Sequence, residues 1–180
     1  SNEITAIPEL LATLALQGCV VTIDAMGAQT DIAKAIREGG ADYALCVKDN
    51  HPKLVESYLL AQAGVGGALT PNSTAESRED GHGRTEVRRC WAFDAVDRLY
   101  KAEQWSALKS FAIVERERTV GTKTSCERRY YISSLPADAT RIAHAVRSHW
   151  EVENRLHWCL DVQFNEDQST VRTGFAANNL

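Results

Sequence analysis

The sequence predicts an α/β (α+β) fold, and three observations carry that prediction. A β-branched apolar run, residues 20–23, and a second buried run, residues 42–48, flank a helical pattern. Strand, helix and strand at that spacing form a βαβ unit with parallel strands. Three more strand-like runs then follow within residues 85–133, and a long helical pattern begins at Pro136.

Each element has its own justification. From Ile4 to Leu16, the apolar residues Ile7, Leu10, Leu11, Leu14 and Leu16 surround Pro8. This pattern predicts a short amphipathic helix with proline in its first turn. Gln17-Gly18 ends it, and Val20-Val21-Thr22-Ile23 reads as a buried strand running into Asp24. Open α/β sheets keep their sites at the C-terminal edge, where this strand would deliver a carboxylate. The plain alternative is that Asp24 only caps the next helix. Thr30 or Asp31 is an N-cap candidate for a helix over residues 32–38, closed by Gly39-Gly40. Asp49-Asn50-His51-Pro52 opens a further helix from Lys53 to about Ala63.

Residues 64–83 are rich in Gly, Ser, Thr, Asn and Asp and read as a long, mobile connection. The three runs after it are residues 85–93, 110–120 and 126–133. With Gly121 between them, the last two read as an antiparallel hairpin. The helix from Pro136 carries Ile142, Val146, Trp150, Glu153, Leu156, His157 and Leu160.

Composition narrows the class. The 180 residues suggest one domain, and 44% apolar with 24% charged residues is ordinary for a soluble globular protein. No run is long or apolar enough to span a membrane. Cys19, Cys46, Cys90, Cys126 and Cys159 are odd in number and lack a CxxC pair. Free thiols in a reducing cytoplasm are therefore expected. The net charge of −4 gives no global support for nucleic-acid binding. Its distribution is uneven, with Arg84, Arg88 and Arg89 clustered, and Arg116, Arg118, Lys123, Arg128 and Arg129 clustered again.

On the long helix His149, Glu153 and His157 fall at i, i+4 and i+8 and share one face. Glu153 lies on or beside the apolar stripe, where a carboxylate is costly unless paired or on a metal. It could pair with Arg147 or Arg155, and the histidines could be interface residues. A zinc site of these three lacks the spacing of known motifs. Mg²⁺ prefers one or two carboxylates, with water and phosphate completing its shell. A carboxylate at a strand end and another on a helix beside that sheet could hold such an ion.

Several blocks together resemble a family. They are Ser1-Asn2-Glu3-Ile4, Val21 to Gly27, Asp42-Tyr43 through Lys48 and Asn50, His82-Gly83-Arg84, and Arg129 to Leu135. Ser148 to Asn154, Leu156 to Val162 and Asn165-Glu166-Asp167 continue the series. In that order they resemble the H-repeat-associated insertion-sequence transposases, which are similar to DDE transposases with a ribonuclease-H-like core. The resemblance implies a partial core of that kind, with residues 64–135 as a β-rich insertion before the long helix. It implies three acidic residues holding two Mg²⁺ (or Mn²⁺) ions, of which Asp24 matches the second Asp and Glu153 the Glu. The first Asp would lie upstream of Ser1, so the chain reads as a fragment, inactive by itself. The implied reaction is cleavage of double-stranded DNA at a transposon end, followed by strand transfer into target DNA. Lys48, Asn50, Arg84 and Arg88 are the candidate DNA contacts. A homodimer or synaptic multimer in the cytoplasm is the implied setting. The competing expectation is a non-catalytic DNA-binding relic of the same fold.

Overall fold

A computed structural model describes residues 3–64, 69–81 and 83–158, with side chains over 6–64, 69–81 and 83–150. The element order is α1 (Glu3–Thr13), β1 (Val20–Ile23), a 3₁₀ turn (Ala25–Gly27), α2 (Thr30–Glu38), β2 (Asp42–Val47) and α3 (Pro52–Gln62). There follow β3 (Ser73–Gly81), β4 (Arg84–Phe93), two more 3₁₀ turns, β5 (Ser110–Val120), β6 (Lys123–Ser133) and α4 (Ala139–Trp158). The six strands make one mixed sheet in the order β1-β2-β6-β5-β4-β3. The α/β (α+β) expectation is met.

The parallel pairing of β1 with β2 holds, with Val20 opposite Asp42 and Ile23 opposite Leu45. So does the β5–β6 hairpin, which turns at Gly121 with φ of +58°. That left-handed conformation suits a residue without Cβ. Two expectations are corrected. Residues 73–81 are not a loop: they form β3, an antiparallel edge strand paired with β4 from Ser73↔Ala92 to Gly81↔Arg84. Pro8 sits inside α1 rather than in its first turn. The start of α4 is capped by Asp138, whose carboxylate accepts from the N–H groups of Thr140 and Arg141 at 3.0 and 3.1 Å.

Strand alternation sorts the core. One face carries Tyr43, Leu45, Val47, Phe93, Phe111, Ile113 and Ile132, which cluster with Ile32 and Ile36 of α2 and Leu54 and Tyr58 of α3. Phe93 stacks on Phe111 with centroids 4.8 Å apart, and Tyr58 meets Phe111 edge-on at 4.5 Å. The opposite face carries small or polar-tipped buried residues, among them Ala44, Cys46, Ala92, Ala112 and Ser133. Ile142 and Val146 of α4 are buried as well.

The strands differ in reach. β2 pairs with β6 only as far as Val47↔Tyr130. Beyond that row β6, β5, β4 and β3 continue together to Val120↔Lys123 and Gly81↔Arg84. At about 3.4 Å per residue this makes a four-stranded arm roughly 20 Å long. It extends past the C-terminal ends of β1 and β2.

Candidate functional site

The site is built at the C-terminal ends of the two parallel strands. β1 stops at Ile23, and Asp24 continues extended with φ −70° and ψ 171°. Asp24 occupies the N-cap position of the 3₁₀ turn, yet its side chain makes no capping hydrogen bond. Its carboxylate is exposed, so the capping alternative does not account for it. The turn is held by its backbone instead: Gly27 N–H donates to Asp24 O at 3.0 Å, and Ala28 N–H to Ala25 O at 3.1 Å.

Gly27 is required here by close approach. A Cβ at that position would stand 2.4 Å from Ile23 Cγ2 and 2.9 Å from Ile7 Cδ1. Ala25-Met26-Gly27 can therefore fold down onto β1 and α1 only because the third residue has no side chain.

A second loop stitches this corner. The Asn50 amide donates to Ala25 O, and its carbonyl accepts from Lys48 N–H at 3.1 Å. His51 Nε2 lies 2.6 Å from Ala28 O. A carbonyl can only accept, so the ring proton sits on Nε2. The His51 ring meets Trp105 edge-on at 5.3 Å. The loop after β2 thus fixes the loop after β1, and with it the position of Asp24. Beside this corner lies a cleft of about 300 Å³ whose walls include Thr30, His51, Lys53, Tyr100, Lys101 and Trp105.

The electrostatics centre on the buried Cys46, which lies one residue past the last β1–β2 pair, Ile23↔Leu45, as Asp24 does on its own strand. Burial pushes its thiol up to about 11, the Asp24 charge adds to this, and Lys48 and Arg129 oppose it. At neutral pH Cys46 is a protonated thiol and no nucleophile. Asp24, Lys48 and Arg129 thus all act on this one thiol. Asp24 is a hard oxygen donor of the kind Mg²⁺ and Mn²⁺ take. Among the described residues no three His, Cys, Asp or Glu side chains gather into a metal site.

The other anticipated residues distribute unevenly. Lys48 is exposed immediately after β2, and Asn50 is engaged in holding the loop. Arg84 and Arg88 lie on the arm, several strands from β1 but at the same end of the sheet. Arg84 is exposed, whereas Arg88 bonds Glu79 at 3.2 Å and lies against Glu86. His149, half-buried, meets the Trp150 ring edge-on at 5.3 Å. Glu153 and His157 fall within α4, but their side chains lie outside the described residues.

Sequence reasoning passed over His51 and the anchoring role of Asn50. The signal was present in Asp49-Asn50-His51-Pro52, where polar side chains precede a helix that proline alone could start. His51 sits at the N-cap of α3 without capping it and turns its ring toward Ala28 instead.

Comparison with known proteins places this geometry in context. The family described as "Transposase DDE domain" matches residues 1–180. The "H repeat-associated putative transposase YhhI" of Escherichia coli K12 is 40% identical over 98% of this chain and 48% of its own length. The "Putative transposase YncI" of Escherichia coli O157:H7 is 41% identical over 98% of this chain and 46% of its own. "Putative protein YbfL" of Escherichia coli K12 is 40% identical over 98% and 48%. The chain spans about half the length of the curated relatives it matches. No described helix is long and apolar enough to cross a membrane.

Proposed function

Because this chain belongs to the DDE transposase family, we propose that it supplies part of the catalytic core of a metal-dependent transposase acting on double-stranded DNA. The observation that carries this reading is Asp24: an exposed carboxylate at the C-terminal edge of a parallel strand, held by two interlocked loops and not spent on capping. Such rigid placement is what a metal-holding carboxylate requires.

Asp24 and Glu153 are the proposed metal-holding pair, with Mg²⁺ or Mn²⁺ as the cation. When bound, the cation neutralises charge at the scissile phosphate and lowers the pKa of an attacking water. Asp24 holds its carboxylate where that cation would sit. Lys48 lies beside it with its ammonium free to meet a phosphate, and Arg84 and Arg88 are the proposed contacts farther along the DNA. Asn50 serves by keeping Lys48 and the Asp24 turn in fixed relation. The reaction proposed is cleavage of the transposon-end phosphodiester to leave a 3′-OH, and attack of that oxygen on a target phosphodiester. The residues 64–135 are proposed as an insertion serving the same DNA, and the working form as a synaptic multimer in the cytoplasm.

The test uses the full-length protein and a duplex carrying the element's own end, with Mg²⁺ or Mn²⁺. Asp24→Ala and Glu153→Ala should each lower strand cleavage by at least a hundredfold, while DNA binding and thermal unfolding stay as in the parent. Retained cleavage in either variant removes that residue from the site. A parent protein that binds the end and never cleaves it leaves the non-catalytic relic as the better account.

A further inference from the structure

The arm has two chemically different sides. Along each strand, alternate residues face opposite ways, and the ladders fix which residues share a side. The side continuous with Cys46 and Asp24 collects Arg84, Arg88, Arg116, Arg118, Lys123 and Arg129. Among the described residues of these ladders, the acids that accompany them are Glu79, Glu86 and Glu127. The other side collects Arg78, Arg89 and Arg128 against Glu76, Asp80, Glu115 and Glu117. A chain of net charge −4 thus presents one sheet surface with a cationic surplus, and that surface adjoins Asp24 and Lys48.

The two sides also use their charges differently. On the far side, Arg89 bonds Glu76, Glu115 and Glu117 at 2.9, 3.2 and 3.2 Å, and Arg128 bonds Glu115 at 2.6 Å. Those arginines are consumed by the fold. On the Asp24 side, Arg84, Arg118 and Lys123 are exposed and form no salt bridge among the described residues. Arg88 stands directly opposite Arg116 in the ladder. Like charges so placed destabilise a strand pair, and their bonds to Glu79 and Glu127 offset this. Arg88, Arg116 and Arg129 are thus tied to the fold, while Arg84, Arg118 and Lys123 have no ion pair among the described residues.

We propose that this side of the arm is the surface along which double-stranded DNA lies as its backbone enters the Asp24 corner. The proposal rests on the DNA-acting reading above and adds to it a side, a direction and the residues Arg116, Arg118 and Lys123. The cationic rows repeat every two residues, about 6.8 Å, so the three rows from Arg88–Arg116 to Arg84–Lys123 span roughly 14 Å. A duplex carries one phosphate charge per ~1.7 Å of axis, on the order of eight over that span. The arm is therefore long enough to neutralise several phosphates at once.

Binding of the intact protein to a duplex oligonucleotide in EDTA, followed by fluorescence anisotropy from about 50 to 300 mM salt (about threefold below to twofold above the ~0.15 M physiological value), tests this. Metal-free binding separates the result from cleavage. The triple substitution Arg84→Gln, Arg118→Gln, Lys123→Gln should weaken binding and flatten the log–log salt slope by about three, near one per lost phosphate contact. The triple Lys34→Gln, Arg78→Gln, Lys109→Gln removes the same charge from exposed sites off this surface and should leave the slope within about one of the parent. Arg84→Lys with Arg118→Lys should keep the slope, since the charge remains. Equal loss in both triples, or in neither, overturns the proposal while a DNA-binding parent leaves the transposase reading standing. A parent with no affinity for DNA at low salt overturns both.

Discussion

The Asp24 corner and the arm belong to one sheet and are held together by opposite means. At the corner, strands are short, their inner face is apolar, and loops are fixed by buried packing and by hydrogen bonds to carbonyls of the neighbouring loop. In the arm, strands are long and most positions are charged or hydroxylic. The arm is organised by ion pairs around buried acids: Glu86 lies against Arg88, and Glu115 takes Arg89 and Arg128 from the two strands beside it. Burial sets the geometry around the Asp24 carboxylate, and charge pairing spares a hydrophobic core where a thin arm could not build one. Substitutions should separate the two regimes.

The largest effect is expected at the corner. Gly27→Ala forces Ile23 and Ile7 aside, and overpacking of this kind costs about 1–3 kcal/mol. The same shift lifts the Ala25 carbonyl from Asn50 and displaces Asp24. Urea unfolding of parent and variant checks the stability loss. A cost smaller than that of any arm substitution would show that the corner is not the tightly packed region.

In the arm, Glu115→Gln should cost less, about 1–2 kcal/mol at pH 7. Hydrogen bonds to charged groups are worth more than neutral ones, but Arg128 is half-exposed and solvent screens it. The cost should depend on pH in a set direction. The Arg128 guanidinium, with Arg89 behind it, holds the Glu115 carboxyl below its usual value against the opposing effect of desolvation. A carboxyl lowered by folding contributes stability that is present above its ordinary pKa and lost as pH falls through the folded value. The Tm gap between parent and variant should therefore be full at pH 7 and close below about pH 4. A gap that persists at pH 3 would mean that packing, and not charge, makes Glu115 matter.

The same contrast explains what the sequence could reveal. α2 was legible because its apolar residues repeat with the helical period, and β1 and β2 because each is a short continuous apolar run between turn signals. Asp24 was legible because it ends such a strand. β3 was not: Ser73 to Gly81 has no apolar face, and it is a strand because Arg88 and Arg89 of β4 reach Glu79 and Glu76 across the ladder. A strand whose reason for pairing lies on its neighbour leaves no periodic trace in its own residues. The split of the arginine clusters was hidden for a related reason. Arg88 and Arg89 are adjacent in sequence and stand on opposite sides of the sheet, one turned toward the Asp24 side and the other locked to Glu115.

The smallest effect is expected at the tip of the arm, where Thr119 and Thr124 share a hydrogen bond of 2.9 Å across the hairpin. Both hydroxyls are reachable by water, so losing one partner exchanges a protein hydrogen bond for a solvent one. Valine also matches threonine in shape and favours strands. Thr119→Val should shift stability by no more than about 0.5 kcal/mol in either direction, read from the urea midpoint. An arm tied by ion pairs farther in has no need of this contact. A loss above about 1 kcal/mol would place the arm's stability at its turn and remove Glu115 from its central position.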